Sequence, residues 1–263
     1  MRNQRFTHRG ERGYSLAELL VVCAILGLVM AGVLGLYMTG TTVALSGQNK
    51  TEAQQGARGT LSMEEDLRLA GYGYPANASA TPVFSAASTT SVTFYADLSN
   101  ASTTLTAAVA SGGNVLPVTS AAGLASPYVI YVIGGTSGSS NSGVWESATI
   151  SSVSGSNVTV TAGVNNSYPA GAMVGYAKAI TYSWDGVSTL SRNSGSGAQT
   201  VATGVTAFAL SYYDSTETVI APANLTANLA NIKRVVISMT VQSTAAQNRG
   251  TFTLNASVRP RNL

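Results

Sequence analysis

An uninterrupted apolar run near the start of the chain limits the possible folds more than any other feature. Residues 19–38 contain no charged side chain and are almost wholly apolar. Twenty residues of α-helix extend over roughly 30 Å, the thickness of the hydrocarbon core of a bilayer. The run follows four arginines, at positions 2, 5, 9 and 12, which the positive-inside rule keeps in the cytoplasm. The sequence therefore predicts one membrane-spanning helix and an exported C-terminal body.

Two simpler explanations of this run leave one residue unexplained. A secretory signal peptide has a shorter apolar core that ends in a small-residue cleavage site, and no such site ends this run. A plain membrane anchor accounts for the length of the run but not for Glu18 at its start. An unpaired acid at membrane depth costs about 2.5–3.5 kcal/mol on insertion scales. We therefore expect Glu18 to have a partner.

The segment GYSLAELL, residues 13–20, resembles the class III leader signal of type IV prepilins and of type II secretion pseudopilins. This resemblance implies that a prepilin peptidase cleaves after Gly13 and methylates the new amine of Tyr14. Residues 1–13 would be the leader peptide, and Glu18 would be the fifth mature residue. The family usually has phenylalanine at the position of Tyr14, and tyrosine keeps the aromatic ring.

The resemblance also implies a role in subunit assembly for Glu18. The positive amine of Tyr14 would neutralise the Glu18 carboxylate within one subunit or between neighbours, and the pair would fix axial register. The alternative is an interfacial carboxylate near the membrane surface. Gly27, Ala31 and Gly35 share one helix face and would permit close helix packing, although ordinary membrane-helix composition explains them equally well.

One helix is predicted over residues 14–70, with its transmembrane part at 19–38. Gly71 and then Pro75 are typical stop signals. Four glycines, at positions 40, 47, 56 and 59, weaken this helix and favour its bending or melting. The exported half is expected to pack one face on a sheet.

Two further segments resemble minor pilins of the PilW type and the related J-type pseudopilins. The first, EEDLRLAGYGYP at residues 64–75, resembles the end of the first helix in that group. The second is a predicted hairpin at residues 179–194, with Asp185-Gly186 as its turn, in which Leu190 and Arg192 fit a recurring Leu-x-Arg position.

Alternating apolar residues predict strands through most of the remaining chain. Strands are expected at residues 91–99 and again from about 178 to 263. Between them, residues 101–177 predict an all-β insertion, similar to small barrel-like modules. The predicted fold class is α+β: a lollipop with a long apolar helix packed on the antiparallel sheet of a head, residues 71–263.

The residue types of the predicted mature chain limit the kinds of catalytic and ligand-binding site that it could form. The only histidine, His8, lies in the leader, and the only cysteine, Cys23, lies in the apolar run, which disfavours catalysis by these groups. The glycine-rich segment at 134–143 lacks the lysine of a phosphate-binding loop and is predicted as a flexible surface loop. Trp145 is predicted as a core residue. The sequence predicts no catalytic residue, metal site or cofactor.

Five acids of the head lie outside the helix, and we interpret them as turn residues. A sugar-cleaving pair or a calcium site is the less favoured alternative, since no ligand spacing of known type occurs. These acids are Asp97, Glu146, Asp185, Asp214 and Glu217.

The basic charge of the chain does not indicate nucleic acid binding. Four of the 14 basic residues and one of the 11 acidic residues precede Tyr14, so the rest of the chain is balanced. Lys233 and Arg234 are the adjacent basic pair of the predicted head, and on a strand they would point to opposite faces.

These observations predict a structural protein rather than an enzyme: a PilW-like minor pilin that enters or primes a type IV pilus. The resemblance implies other pilins, prepilin peptidase and the inner-membrane assembly platform as partners. The protein would cross the bacterial inner membrane once and then move to the pilus or cell surface. The alternatives are a minor pseudopilin of type II secretion, a membrane-tethered β-domain that binds carbohydrate or another surface, and a disfavoured exported hydrolase.

Overall fold

The structure, a computed structural model, describes residues 15–75, 82–137, 140–242 and 250–263. The chain divides into two compact units, residues 1–48 and 49–263. Helix α1 spans Leu16–Arg68 and contains 53 residues. No break in α1 occurs at its glycines, so the expectation that they would melt the helix is wrong.

Fifteen strands follow within the described residues. They are β1 (Phe84–Ala87), β2 (Ser91–Ala96), β3 (Thr103–Thr104), β4 (Val115–Pro117), β5 (Val129–Ser137), β6 (Ser140–Ser154), β7 (Asn157–Val160), β8 (Met173–Gly175), β9 (Lys178–Trp184), β10 (Leu190–Asn193), β11 (Ala198–Ala202), β12 (Val205–Tyr213), β13 (Val219–Ile220), β14 (Arg234–Gln242) and β15 (Thr251–Val258). Two short 3₁₀ helices, Pro222–Asn224 and Thr226–Asn231, connect β13 to β14.

Two antiparallel sheets share one hydrophobic core in the second unit. The first has the strand order β1-β2-β9-β10-β11, and the second has the order β13-β12-β14-β15. In β14 buried and half-buried residues alternate without exception, because one face of this strand meets the core. The predicted α+β class, an apolar helix followed by an antiparallel β head, is confirmed.

The end of α1 packs against both sheets. Met63, Leu67 and Ala70 are buried in the shared core. The helix approaches the strands closely at two glycines: a Cβ added to Gly56 would lie 2.6 Å from Val241 Cγ2, and one added to Gly59 would lie 3.1 Å from the Val201 carbonyl oxygen. These glycines therefore permit close packing of the helix on the sheets.

The connection between β2 and β9 forms a barrel with its own core. Its sheet has the order β3-β8-β5-β6-β7-β4. A bridge between Leu105 and Val118 joins the two outer strands, supported by a hydrogen bond from the Thr106 N–H to the Pro117 carbonyl at 2.9 Å. The barrel is thus closed, and its interior is filled by buried side chains such as Leu116, Ile130 and Ile150.

The chain passes from the first sheet to the barrel after Ala96 and returns to the sheet at Lys178, and these two residues are paired. Asp97 begins the connection: it is 3% exposed, and its carboxylate accepts hydrogen bonds from the Ser99 hydroxyl at 2.8 Å and the Ser102 N–H at 2.6 Å. Gly73 has a φ of +74°, and an added Cβ would lie 2.6 Å from the Tyr176 carbonyl oxygen. The loop after α1 therefore needs glycine where it contacts the barrel.

Three local predictions need correction. The hairpin of β9 and β10 closes through five residues, 185–189, because Asp185 caps the Val187, Ser188 and Thr189 N–H groups at 2.8–3.0 Å. Of the glycine-rich segment predicted as a loop, residues 134–137 belong to β5 and residues 140–143 belong to β6. Trp145 is half-buried outside the core, with its ring centre 6.2 Å from that of Tyr131.

Candidate functional site

The first turn of α1 holds the carboxylate that the sequence singles out. The Ser15 N–H donates to Glu18 Oε2 at 3.3 Å, and the Ala17 N–H donates to Ser15 Oγ at 3.3 Å. A serine at the helix start followed three residues later by glutamate is a capping box, in which the two side chains satisfy free N–H groups of the first turn. Glu18 therefore already has a local partner, its own helix end.

This local role is one that our sequence reasoning missed, although the spacing Ser15-x-x-Glu18 could have revealed it. A negative group in the first turn also interacts favourably with the helix dipole. Gly13 and Tyr14, the predicted cleavage and methylation positions, lie outside the described residues. The predicted pairing of Glu18 with the amine of Tyr14 remains a prediction.

Beyond this cap, α1 carries a long apolar surface. Leu16–Ala44, 29 residues, is long and apolar enough to cross a membrane, and none of it is buried within the protein. At 1.5 Å per residue this segment would extend over roughly 44 Å, more than the hydrocarbon core requires. An apolar helix surface of this length would be costly in water, so it requires a lipid or protein environment.

The predicted packing stripe lies on this open surface. A Cβ added to Gly27 or Gly35 would meet nothing within 4 Å, in contrast to Gly56. The stripe of Gly27, Ala31 and Gly35 is therefore not used by contacts within the described chain. Its proposed use in helix packing between subunits is a prediction.

The two remaining segments of resemblance meet at one carboxylate near the end of α1. Asp66 Oδ2 accepts a hydrogen bond from the Tyr182 hydroxyl at 2.7 Å and one from Arg192 Nε at 2.7 Å. Tyr182 and Arg192 are cross-strand partners on β9 and β10, so both side chains reach the same face. We call Asp66, Tyr182 and Arg192 the helix clamp, because they join the end of α1 to the first sheet.

The clamp is largely shielded from water. The side chains of Asp66 and Arg192 are 13% and 23% exposed, and Tyr182 is fully buried. Burial, above all, raises the pKa of Tyr182, so its hydroxyl stays protonated and acts as the donor to Asp66. The Ser62 hydroxyl lies 3.4 Å from the same tyrosine oxygen and completes the network.

The five acids of the head act in local structure. Glu146 accepts hydrogen bonds from the backbone N–H groups of Asn165 and Asn166, and Asp214 accepts those of Thr216 and Thr218. Glu217 pairs with Arg234 at 2.6 Å and also with Arg259. Asp97 and Asp185 cap loops as described above. These five acids therefore accept hydrogen bonds from nearby backbone N–H groups or form ion pairs at the surface.

No cluster of three or more histidine, cysteine, aspartate or glutamate side chains suited to a metal ion occurs in the described part of the chain.

Comparison with known proteins places one segment in a described family. Residues 8–34 match the family model of the prokaryotic N-terminal methylation motif. No curated protein and no solved structure gives a significant match to the chain. The matched segment contains the candidate cleavage position, the capping box and residues 16–34 of the apolar segment. Together, the methylation motif and the membrane-compatible helix support a type IV pilin-like or pseudopilin protein.

Proposed function

We propose that the protein is a minor type IV pilin, a structural subunit that enters or primes a pilus. The observation that carries this proposal is the methylation motif at residues 8–34 together with the apolar helical segment Leu16–Ala44, which is not buried within the described part of the chain. Before assembly the helix would lie in the inner membrane, and afterwards it would pack among the helices of other pilins. Prepilin peptidase and the inner-membrane platform would be its processing and assembly partners.

The proposed mechanism assigns two successive roles to Glu18. In the membrane its carboxylate caps the helix through the Ser15 N–H. During assembly it would also neutralise the amine of Tyr14 in the same or a neighbouring subunit, which would set the axial position of the incoming helix. Gly27, Ala31 and Gly35 would permit close helix contact in the fibre.

Two variants separate these roles, because glutamine can replace glutamate in a capping box but carries no charge. We expect Glu18→Ala and Glu18→Gln proteins to reach the membrane in normal amounts and to be absent from sheared filaments. Quantitative immunoblots of membrane and filament fractions measure both. Normal incorporation of Glu18→Gln would contradict the charge-pairing mechanism, and normal incorporation of both variants would remove the assembly role of Glu18.

The pseudopilin alternative shares every feature of the helix, and deletion of the gene distinguishes the two functions. Loss of surface filaments with normal export of secreted enzymes supports the pilus. Loss of enzyme export with normal filaments supports the secretion apparatus.

A further inference from the structure

A pocket of about 190 Å³ opens where the barrel joins the first sheet. Its walls come from the ends of β2, β9 and β10 and from the loop that follows β2. The lining residues that matter chemically are Leu98, Ser99, Lys178, Ile180, Arg192 and Ser194. Two cations, two hydroxyls and an aliphatic floor thus face one small volume, which is below the usual size range of sites for drug-sized ligands.

Stacked rings position the first cation of this junction pocket. Lys178 Nζ lies 4.8 Å from the ring centre of Tyr128 and 5.5 Å from that of Tyr176. The two rings stack on each other at 5.2 Å. Lys178 forms no salt bridge within the described residues. Its charge is therefore oriented by aromatic contacts but is not neutralised by a carboxylate.

The helix clamp positions the second cation. Arg192 Nε donates to Asp66, so the two terminal nitrogens of the guanidinium take no part in this hydrogen bond. Asp66 offsets the charge of Arg192, so Lys178 is the pocket cation that has no carboxylate partner among the described residues. Asp97, which follows β2, is buried and bound to its own loop. Because both cations are held in place, a ligand pays little side-chain entropy to engage them.

We propose that the junction pocket binds a single sugar residue that bears a carboxylate. The carboxylate would pair with Lys178 and reach a terminal nitrogen of Arg192. One ring hydroxyl would donate to the Ser99 oxygen, whose own proton is bound to Asp97, and another would exchange hydrogen bonds with Ser194. The C–H face of the ring would lie on Leu98 and Ile180. One ammonium group without a carboxylate partner suits a monoanion, whereas a phosphate dianion favours a denser set of donors than this pocket offers.

The test uses the full-length protein purified in detergent, so its result does not depend on pilus assembly. Saturation-transfer NMR is recorded on methyl glucuronide, with the neutral methyl glucoside as the matched sugar and with acetate and inorganic phosphate as competing anions. We expect the glucuronide to bind at least ten-fold more tightly than the glucoside or either anion, since a charge-assisted hydrogen bond is lost without the carboxylate.

Variants then locate the site. Lys178→Met is expected to weaken glucuronide binding at least ten-fold, while Lys178→Arg, which keeps the charge, binds within a few-fold of the parent chain. Lys233→Met is the control, because it removes a head lysine that does not line the pocket. If Lys178→Met fails to fold, Ser194→Ala replaces it and is expected to weaken the glucuronide several-fold.

Four results would overturn the proposal. One is the absence of saturation transfer to the glucuronide, and another is equal binding of glucuronide and glucoside. The third is equally tight binding of phosphate or acetate, which would make the junction pocket a general anion site. Unchanged glucuronide binding by Lys178→Met or Ser194→Ala would place any sugar site elsewhere and would equally overturn the assignment.

Discussion

Disruption of the helix clamp should destabilise the protein more than the loss of an exposed ion pair does. Asp66→Ala removes the acceptor of two hydrogen bonds, from Tyr182 and Arg192, each 2.7 Å long. A hydrogen bond to a charged group contributes about 1.5–3 kcal/mol, and the loss of one partner leaves the other polar group without compensation. Because the side chains of Asp66 and Arg192 are 13% and 23% exposed, water replaces the lost bonds only in part. We expect Asp66→Ala to lower the free energy of unfolding by about 3 kcal/mol.

A double-mutant cycle isolates the interaction itself. The variants Asp66→Ala, Arg192→Ala and their combination should give a coupling energy of about 2 kcal/mol, as expected for residues in direct contact. The matched control is the Glu64–Arg68 pair, which flanks Asp66 on α1 and in which the arginine side chain is 51% exposed. Its cycle should give about 0.3–0.5 kcal/mol, the value for an exposed pair four residues apart.

Urea unfolding of the full-length protein in detergent measures both cycles. Tryptophan fluorescence is a suitable signal, because Trp184 lies on β9 next to the clamp and donates to the Val205 carbonyl at 3.3 Å. Equal coupling energies for the two pairs would refute the reasoning, since they would show that shielding from water does not strengthen the clamp.

Three further predictions concern packing and pH. Gly56→Ala should lower the free energy of unfolding by about 1 kcal/mol, because the cost of overpacking exceeds the gain in helix propensity. Gly40→Ala, with open space around it, should not lower the free energy of unfolding. Urea unfolding tests both variants, and a stabilised Gly56→Ala protein would contradict close packing at this glycine. Ile150→Ala should lower the free energy of unfolding by about 2–5 kcal/mol, because it leaves a cavity in the barrel core. Val187→Ala, at a side chain that is 76% exposed, should lower it by almost nothing. Equal midpoints of the two variants in thermal unfolding would argue against a packed barrel. Backbone N–H groups of Thr189, Val187 and Ser188 lower the pKa of Asp185 from 3.8 to about 2, so its contribution to stability is complete above about pH 4 and is lost as the pH falls through 2. The stability difference between the parent chain and Asp185→Asn should therefore be constant above pH 4 and shrink below it, and a difference independent of pH down to 2 would contradict the capping role.

Features that depend on neighbouring residues could be predicted from the sequence. The apolar run, the alternation in the strands and the approximate end of α1 follow from spacing along the chain. The Ser15–Glu18 cap is equally predictable, because both of its residues lie within one helix turn. Trp145 was wrongly predicted as a core residue, because a strand pattern does not show which face is covered.

Features that depend on distant contacts could not be predicted in this way. The bond from Arg192 to Asp66 joins residues 126 positions apart, so the two segments of resemblance gave no sign that they meet. Closure of the barrel depends on one bridge between Leu105 and Val118, which no local pattern marks. The sequence alone marks Gly56 and Gly59 as weak points of a helix, because it does not show that strands pack closely against both glycines.

The mature N-terminus of the protein, isolated from its native cells, tests the central claim most directly. Intact mass and N-terminal sequencing should show a chain that begins at Tyr14 with a methylated amine, directly before the capping box that starts at Ser15. That result would establish processing as a prepilin. A mature chain that retains Met1 or Arg2 would contradict it, and the assembly mechanism proposed for Glu18 would then have no amine to pair with.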